Sequence, residues 1–171
     1  MQAQVMSGRQ RWDWAGLGWL FLFFWYFSGV THLLIQLTGT TGFAGFRQAF
    51  LLSALWLIPV LLFPARARAI AGSIGVLLWA CSLVGLGYFC IYGQQFSQSV
   101  IFIMFESNMA ESSEYFAQYF AWWMVPVYLL YTLGAWLLWK RVRPLAFSRN
   151  QALVLSLALF VALLAYPLGK Q

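Results

Sequence analysis

The 171-residue sequence holds four carboxylates, and three of them, Glu106, Glu111 and Glu114, lie in one nine-residue stretch. The surrounding segment, Ser99 to Phe120, reads SVIFIMFESNMAESSEYFAQYF. Ser107 and Glu111 are four residues apart, and Glu111 and Glu114 are three apart. Residues at these spacings share one face of an α-helix. With Asn108 beside them they form a polar strip of hydroxyl, amide and carboxylate groups. Such a strip suits a cation, and an ammonium headgroup such as that of phosphatidylethanolamine has the complementary charge. An amphipathic connector needs the same wet face with no ligand on it.

Other reactive side chains are sparse. His32 is the single histidine, inside or at the end of an apolar run, and no second ligand stands at metal-site spacing from it. It reads as a packed or interfacial histidine. Cys81 and Cys90 fall in one apolar run with no His or carboxylate nearby, and read as two small core residues. No Gly-rich phosphate loop, Ser-His-Asp set or metal cluster appears in the chain.

The elements that must position the acidic strip follow from composition. The chain is 63% hydrophobic, 20% aromatic and only 8% charged, against about 25% charged for a soluble domain. Too few charges remain to cover a water-facing surface, so lipid is the expected solvent. A helix crosses about 30 Å of hydrocarbon with about 20 apolar residues, which leaves room for five or six crossings. The expected fold is an all-α membrane protein with five transmembrane helices, over about 14–37, 48–63, 70–92, 121–139 and 150–166. An interfacial amphipathic segment fills 93–120, and the whole forms one domain. Pro59 should kink the second span. Gly72, Gly75, Gly85 and Gly87 should let the third pack closely on its neighbours. Pro167 and Gly169 should stop the fifth.

Each of the three clustered acids would cost at least about 2.5 kcal/mol at the bilayer centre. The segment that carries them should therefore lie at the interface. The basic residues define the sides. Eight of the ten Lys and Arg fall before span one, after span two and after span four: Arg9, Arg11, Arg66, Arg68, Lys140, Arg141, Arg143 and Arg149. These segments share a side if every span crosses. The positive-inside rule then puts the N-terminus in the cytoplasm and the C-terminus outside. Trp12, Trp14, Trp122, Trp123, Trp136 and Trp139 stand near span ends, where indoles prefer the headgroup layer. Nucleic-acid binding does not fit a net charge of +6 split among short loops. The retained first span reads as a signal anchor, without a clean cleavage site.

The run Tyr92-Gly93-Gln94-Gln95-Phe96-Ser97-Gln98-Ser99, followed by Met104-Phe105-Glu106-Ser107-Asn108 and Glu111-Ser112-Ser113-Glu114-Tyr115, closely resembles the membrane domain of bacterial phosphoethanolamine transferases. The likeness is nearest to the type that decorates the heptose core of lipopolysaccharide. Leu55 to Val60, Ile74 to Ala80 and Leu137 to Trp139 resemble it too. The resemblance implies a five-helix domain in the bacterial inner membrane that anchors a periplasmic, sulfatase-like catalytic domain. In that family the second domain carries zinc and a threonine nucleophile, which moves phosphoethanolamine from phosphatidylethanolamine to lipid A or a core sugar. The family's Thr or Ser four residues before a Glu falls on Ser107 and Glu111. An Asn found four residues earlier in some members is replaced here by Ile103. Ser107, Asn108, Glu111 and Glu114 are then the expected donor-lipid contacts. The chain itself is expected to lack catalytic residues and a zinc site, and its partners to be phosphatidylethanolamine, membrane lipids and, through the missing domain, a lipopolysaccharide acceptor. The competing expectation is a non-enzymatic membrane scaffold or regulatory remnant of the same family. A small transporter fits poorly, since the spans hold no acidic pathway residues and show no inverted repeat.

Overall fold

A chain of long uncharged apolar runs must satisfy its backbone polar groups internally, and α-helices do this within one segment. The computed structural model describes residues 12–37, 44–93, 102, 106 and 108–168, and among these it is helical with no strand. The elements are α1 (Trp14–Leu37), α2 (Ala44–Leu55), α3 (Leu57–Leu62), a 3-10 turn (Pro64–Arg66), α4 (Ala67–Tyr92), α5 (Met109–Tyr119), α6 (Met124–Arg141) and α7 (Arg149–Leu168). Two stretches, Trp14–Leu34 and Pro64–Tyr92, are long and apolar enough to cross a membrane, while Arg47–Leu62 and Arg149–Ala165 are apolar but shorter.

Prolines set several boundaries. The second predicted span is broken at Trp56, between α2 and α3, and not at Pro59 itself. Pro59 offers no N–H to the carbonyl four residues back, that of Leu55, and its ring crowds that carbonyl. The break therefore sits one turn upstream. Pro126 occupies the first turn of α6, where a missing N–H costs nothing, so α6 begins at Met124 and not at 121. Pro167 does not stop the last helix, as α7 runs on to Leu168. Gly93 ends α4 in a left-handed conformation, φ 64°, its N–H bonded to the Phe89 carbonyl at 2.8 Å.

The core is aromatic and centred on α1. Leu20, Phe23, Phe24 and Phe27 are buried, together with Val60, Leu61, Leu86 and Tyr131 from the surrounding helices. α1 packs against α2, α4 and α6, and α3 packs against α7. Close approach uses the small residues: a side chain at Gly75 would run into the Phe23 ring, and one at Gly87 into the Tyr128 hydroxyl. Gly85 faces open space, so three of the four α4 glycines serve packing, with Gly72 against the Trp139 indole. The outer surface is apolar as well. Val76, Leu77, Leu129, Leu130, Val154 and Leu157 are each more than half exposed. An apolar surface of that extent calls for an apolar solvent.

Candidate functional site

The bundle has two chemically distinct ends. At one end α1 begins at Asp13, whose side chain is 10% exposed. Its Oδ1 accepts the Gly16 N–H at 3.0 Å and an Arg143 Nη2–H at 3.1 Å, and its Oδ2 accepts the Ala146 N–H at 3.3 Å. Burial pushes this carboxyl up. The backbone N–H groups of Gly16 and Ala146 and the Arg143 guanidinium outweigh burial and hold it below the usual carboxylate range. The Leu145 N–H, in the α6–α7 loop, donates to the Pro64 carbonyl at 3.2 Å. The Arg68 guanidinium lies 4.8 Å from the Trp139 ring centre, and that of Arg141 lies 5.1 Å from Trp19. The start of α1, the α3–α4 turn and the α6–α7 loop thus meet at one end, the latter two bringing their basic residues; Arg9 and Arg11, the basic residues expected before α1, lie outside the described residues.

The acidic segment lies at the other end, where α4 finishes and α6 starts. Tyr119 at the close of α5 stands 6.2 Å, ring to ring, from Tyr92 at the close of α4. Asn108 precedes α5 as its cap. Its Oδ1 accepts the Glu111 N–H at 2.9 Å, and its Nδ2 donates to Glu111 Oε1 at 3.0 Å. This reciprocal pair satisfies a donor that a helix start otherwise leaves orphaned. Asn108, Glu111 and Glu114 are all exposed, and Glu114 follows Glu111 on the same face. Ser107, the remaining expected contact, lies outside the described residues. The structure thus joins Asn108 to Glu111 and gives both a capping role. A carboxylate offers about four acceptor positions, so the cap leaves Glu111 able to meet a cation.

Among the described residues no three His, Cys, Asp or Glu side chains cluster. Cys81 is exposed and not a core residue as expected, while Cys90 is half-buried, and both are free thiols. Nine residues along a helix are two and a half turns, which turns the two thiols to opposite faces. His32 Nδ1 donates to the Ser28 carbonyl at 2.8 Å, a packed histidine satisfied by its own helix.

Sequence reasoning missed a polar network between α1, α4 and α6. Tyr26 donates to the Tyr131 carbonyl at 2.8 Å. The Tyr131 hydroxyl lies 2.8 Å from Ser82 Oγ and 3.2 Å from the Phe27 carbonyl, so one proton serves two acceptors. Ser82 donates to the Trp79 carbonyl at 3.0 Å, and Trp79 Nε1 donates to Thr132 Oγ1 at 3.1 Å. Single hydroxyls scattered through apolar runs carry no periodic signal; only packing brings them together. Asp13 had a signal, since a lone acid directly before an apolar run is a helix cap.

No known family profile matches the chain, and no solved structure matches it. Three curated proteins do. The chain is 48% identical over 169 residues to phosphoethanolamine transferase CptA of Salmonella typhimurium, covering 99% of this chain and 29% of that protein. It is 46% identical over 169 residues to phosphoethanolamine transferase EptC of Escherichia coli K12 and to EptC of Escherichia coli O18:K1:H7, with the same coverage. Along almost all of its length the chain is similar to these phosphoethanolamine transferases, and it spans less than a third of their length.

Proposed function

We propose that this chain forms the membrane-embedded, donor-lipid-holding part of a phosphoethanolamine transferase of the bacterial inner membrane. In this reading α1, α2 with α3, α4, α6 and α7 are five crossings, with the N-terminus cytoplasmic and the C-terminus periplasmic. The polarity of the bundle carries the reading. Two basic segments meet the start of α1 at one end and the acidic α5 occupies the other, in a chain related to enzymes of this name. The positive-inside rule makes the first end cytoplasmic, which sets α5 at the periplasmic headgroup layer. There Glu111 and Glu114, with Asn108 and Ser107, receive the ammonium of phosphatidylethanolamine. The transfer itself, with its zinc and threonine nucleophile, belongs to sequence matching the remainder of the relatives. Lipid A or a core heptose of lipopolysaccharide is the proposed acceptor.

The test is Glu111→Ala in a full-length relative. Transfer from phosphatidylethanolamine should fall about tenfold, the loss of one charge-assisted contact of about 1.4 kcal/mol, with membrane insertion unchanged. Unaltered transfer would remove α5 from the donor site and favour a scaffold.

A further inference from the structure

We infer that the groove between α4 and α6 is a binding site for an anionic glycerophospholipid, in the leaflet at the basic end and separate from any donor site at α5. The groove encloses about 460 Å³, inside the range of ligand sites, about 300–1,000 Å³. Phe23 and Phe27 of α1 form its floor, Gly72 and Val76 of α4 one wall, and Trp136 and Trp139 of α6 the other. The groove exists because α4 presents small residues there. A side chain at Gly75 would collide with Phe23, and one at Gly72 would press on the Trp139 indole.

Its lining is apolar, and the polar atoms at its inner end are already spent. Trp79 Nε1 is bonded to Thr132 at 3.1 Å. The polar demand sits at the outer end. Lys140 Nζ stands 3.4 Å from the Trp136 ring centre and the Arg68 guanidinium 4.8 Å from that of Trp139, so each of the two indoles on the α6 wall carries a cation. Among the described residues neither cation is paired with a carboxylate, whereas Arg143 is paired with Asp13. From Gly72 to Trp79 the helix rises about 10 Å, against about 15 Å for half the hydrocarbon thickness. A groove that deep takes an acyl chain of one leaflet and leaves the phosphate level with Arg68 and Lys140. Charge complementarity selects the headgroup. A net-anionic lipid gains from both cations, whereas a zwitterionic one brings its own ammonium against them.

The inference needs the helices to lie in a bilayer, as proposed above, but not the donor role of α5. The full chain, stripped of lipid in detergent, is titrated with phosphatidylglycerol and, separately, with phosphatidylcholine, and bound lipid is counted by native mass spectrometry. Phosphatidylglycerol should bind about tenfold more tightly than phosphatidylcholine. The double variant Arg68→Gln/Lys140→Gln, changed only at exposed side chains, should erase that preference. Ser73→Trp, which fills the groove from an exposed position, should abolish retention of phosphatidylglycerol and phosphatidylcholine with helix content unchanged by circular dichroism. Equal binding of phosphatidylglycerol and phosphatidylcholine by the unaltered chain, or an undiminished preference in the double variant, would overturn the site. A failure here with Glu111-dependent transfer intact would leave the donor reading standing, and the reverse result would leave this one.

Discussion

At the basic end of the bundle, groups far apart in sequence are cross-tied. Asp13 bonds to Arg143 and Ala146, more than a hundred residues away, and Leu145 bonds to Pro64. At the acidic end Asn108 bonds to Glu111 and Ser113 to Ala110, both within one turn, and Tyr119 makes ring contact with Tyr92. The buried plug at the basic end is apolar too: Val142, Leu145 and Phe147 of the α6–α7 loop are all buried. One end is therefore built to hold helices in register. The other presents polar groups outward, which suits a surface that meets ligands. Long-range ties stand at one end of the helices, and exposed polar side chains of α5 at the other.

Substitutions sharpen this contrast. The largest effect belongs to Asp13→Ala, which removes a helix cap and two long-range bonds. Loss of about 2 kcal/mol is expected, from a cap worth about 1 kcal/mol and a charge-assisted bond of similar size. Thermal unfolding in detergent measures it. Because the folded carboxyl titrates below its usual range, its stabilising contribution is complete above the unfolded value, near pH 4. That contribution fades as acid takes the pH down through the folded value. Acid unfolding of Asp13→Ala should therefore lose that limb, and an identical acid limb in the variant would mean that Asp13 is not the latch.

A smaller and more local effect follows from Asn108→Ala. The cap is worth about 1 kcal/mol to α5, so amide exchange in Met109–Tyr119 should quicken several-fold while the global melting temperature stays put. A shift in global melting would show that α5 is integral to the bundle and that the two ends are not built differently. The smallest effect on stability is expected from Glu114→Gln. The side chain is exposed at the acidic end, and exposed substitutions of this kind are near neutral. Melting should not change measurably, while selectivity for an ethanolamine headgroup should weaken in a full-length relative. A destabilised variant would assign Glu114 to the scaffold.

Much of the architecture was legible from the order of residues. The first span, expected over 14–37, is α1 to the residue, and the third differs from α4 by three residues at its start. Length and apolarity are local quantities, and hydrocarbon leaves the backbone no alternative to helix. The meeting of the α3–α4 turn, the α6–α7 loop and the start of α1 at one end matches what counting alternate helices leads one to expect. The break at Trp56 was displaced by one turn from Pro59, since a proline acts on the carbonyl four residues behind it. The site was legible only in part. Spacing put Glu111 and Glu114 on one face, but that Asn108 and Glu111 bind each other depends on the conformation of the residue preceding the helix.

The sequence by itself determined the solvent, the helices and the polarity of the two ends, because each rests on the free energy of transferring a given residue type between water and hydrocarbon. Only the tertiary structure decided that Asp13 is a latch, that Tyr26, Ser82 and Tyr131 form one network, and that Gly72 opens a groove beneath two cation-bearing tryptophans. Those features depend on which helix faces which, and helix pairing in lipid is set by close van der Waals fit and interhelical hydrogen bonds, which no single run of residues encodes.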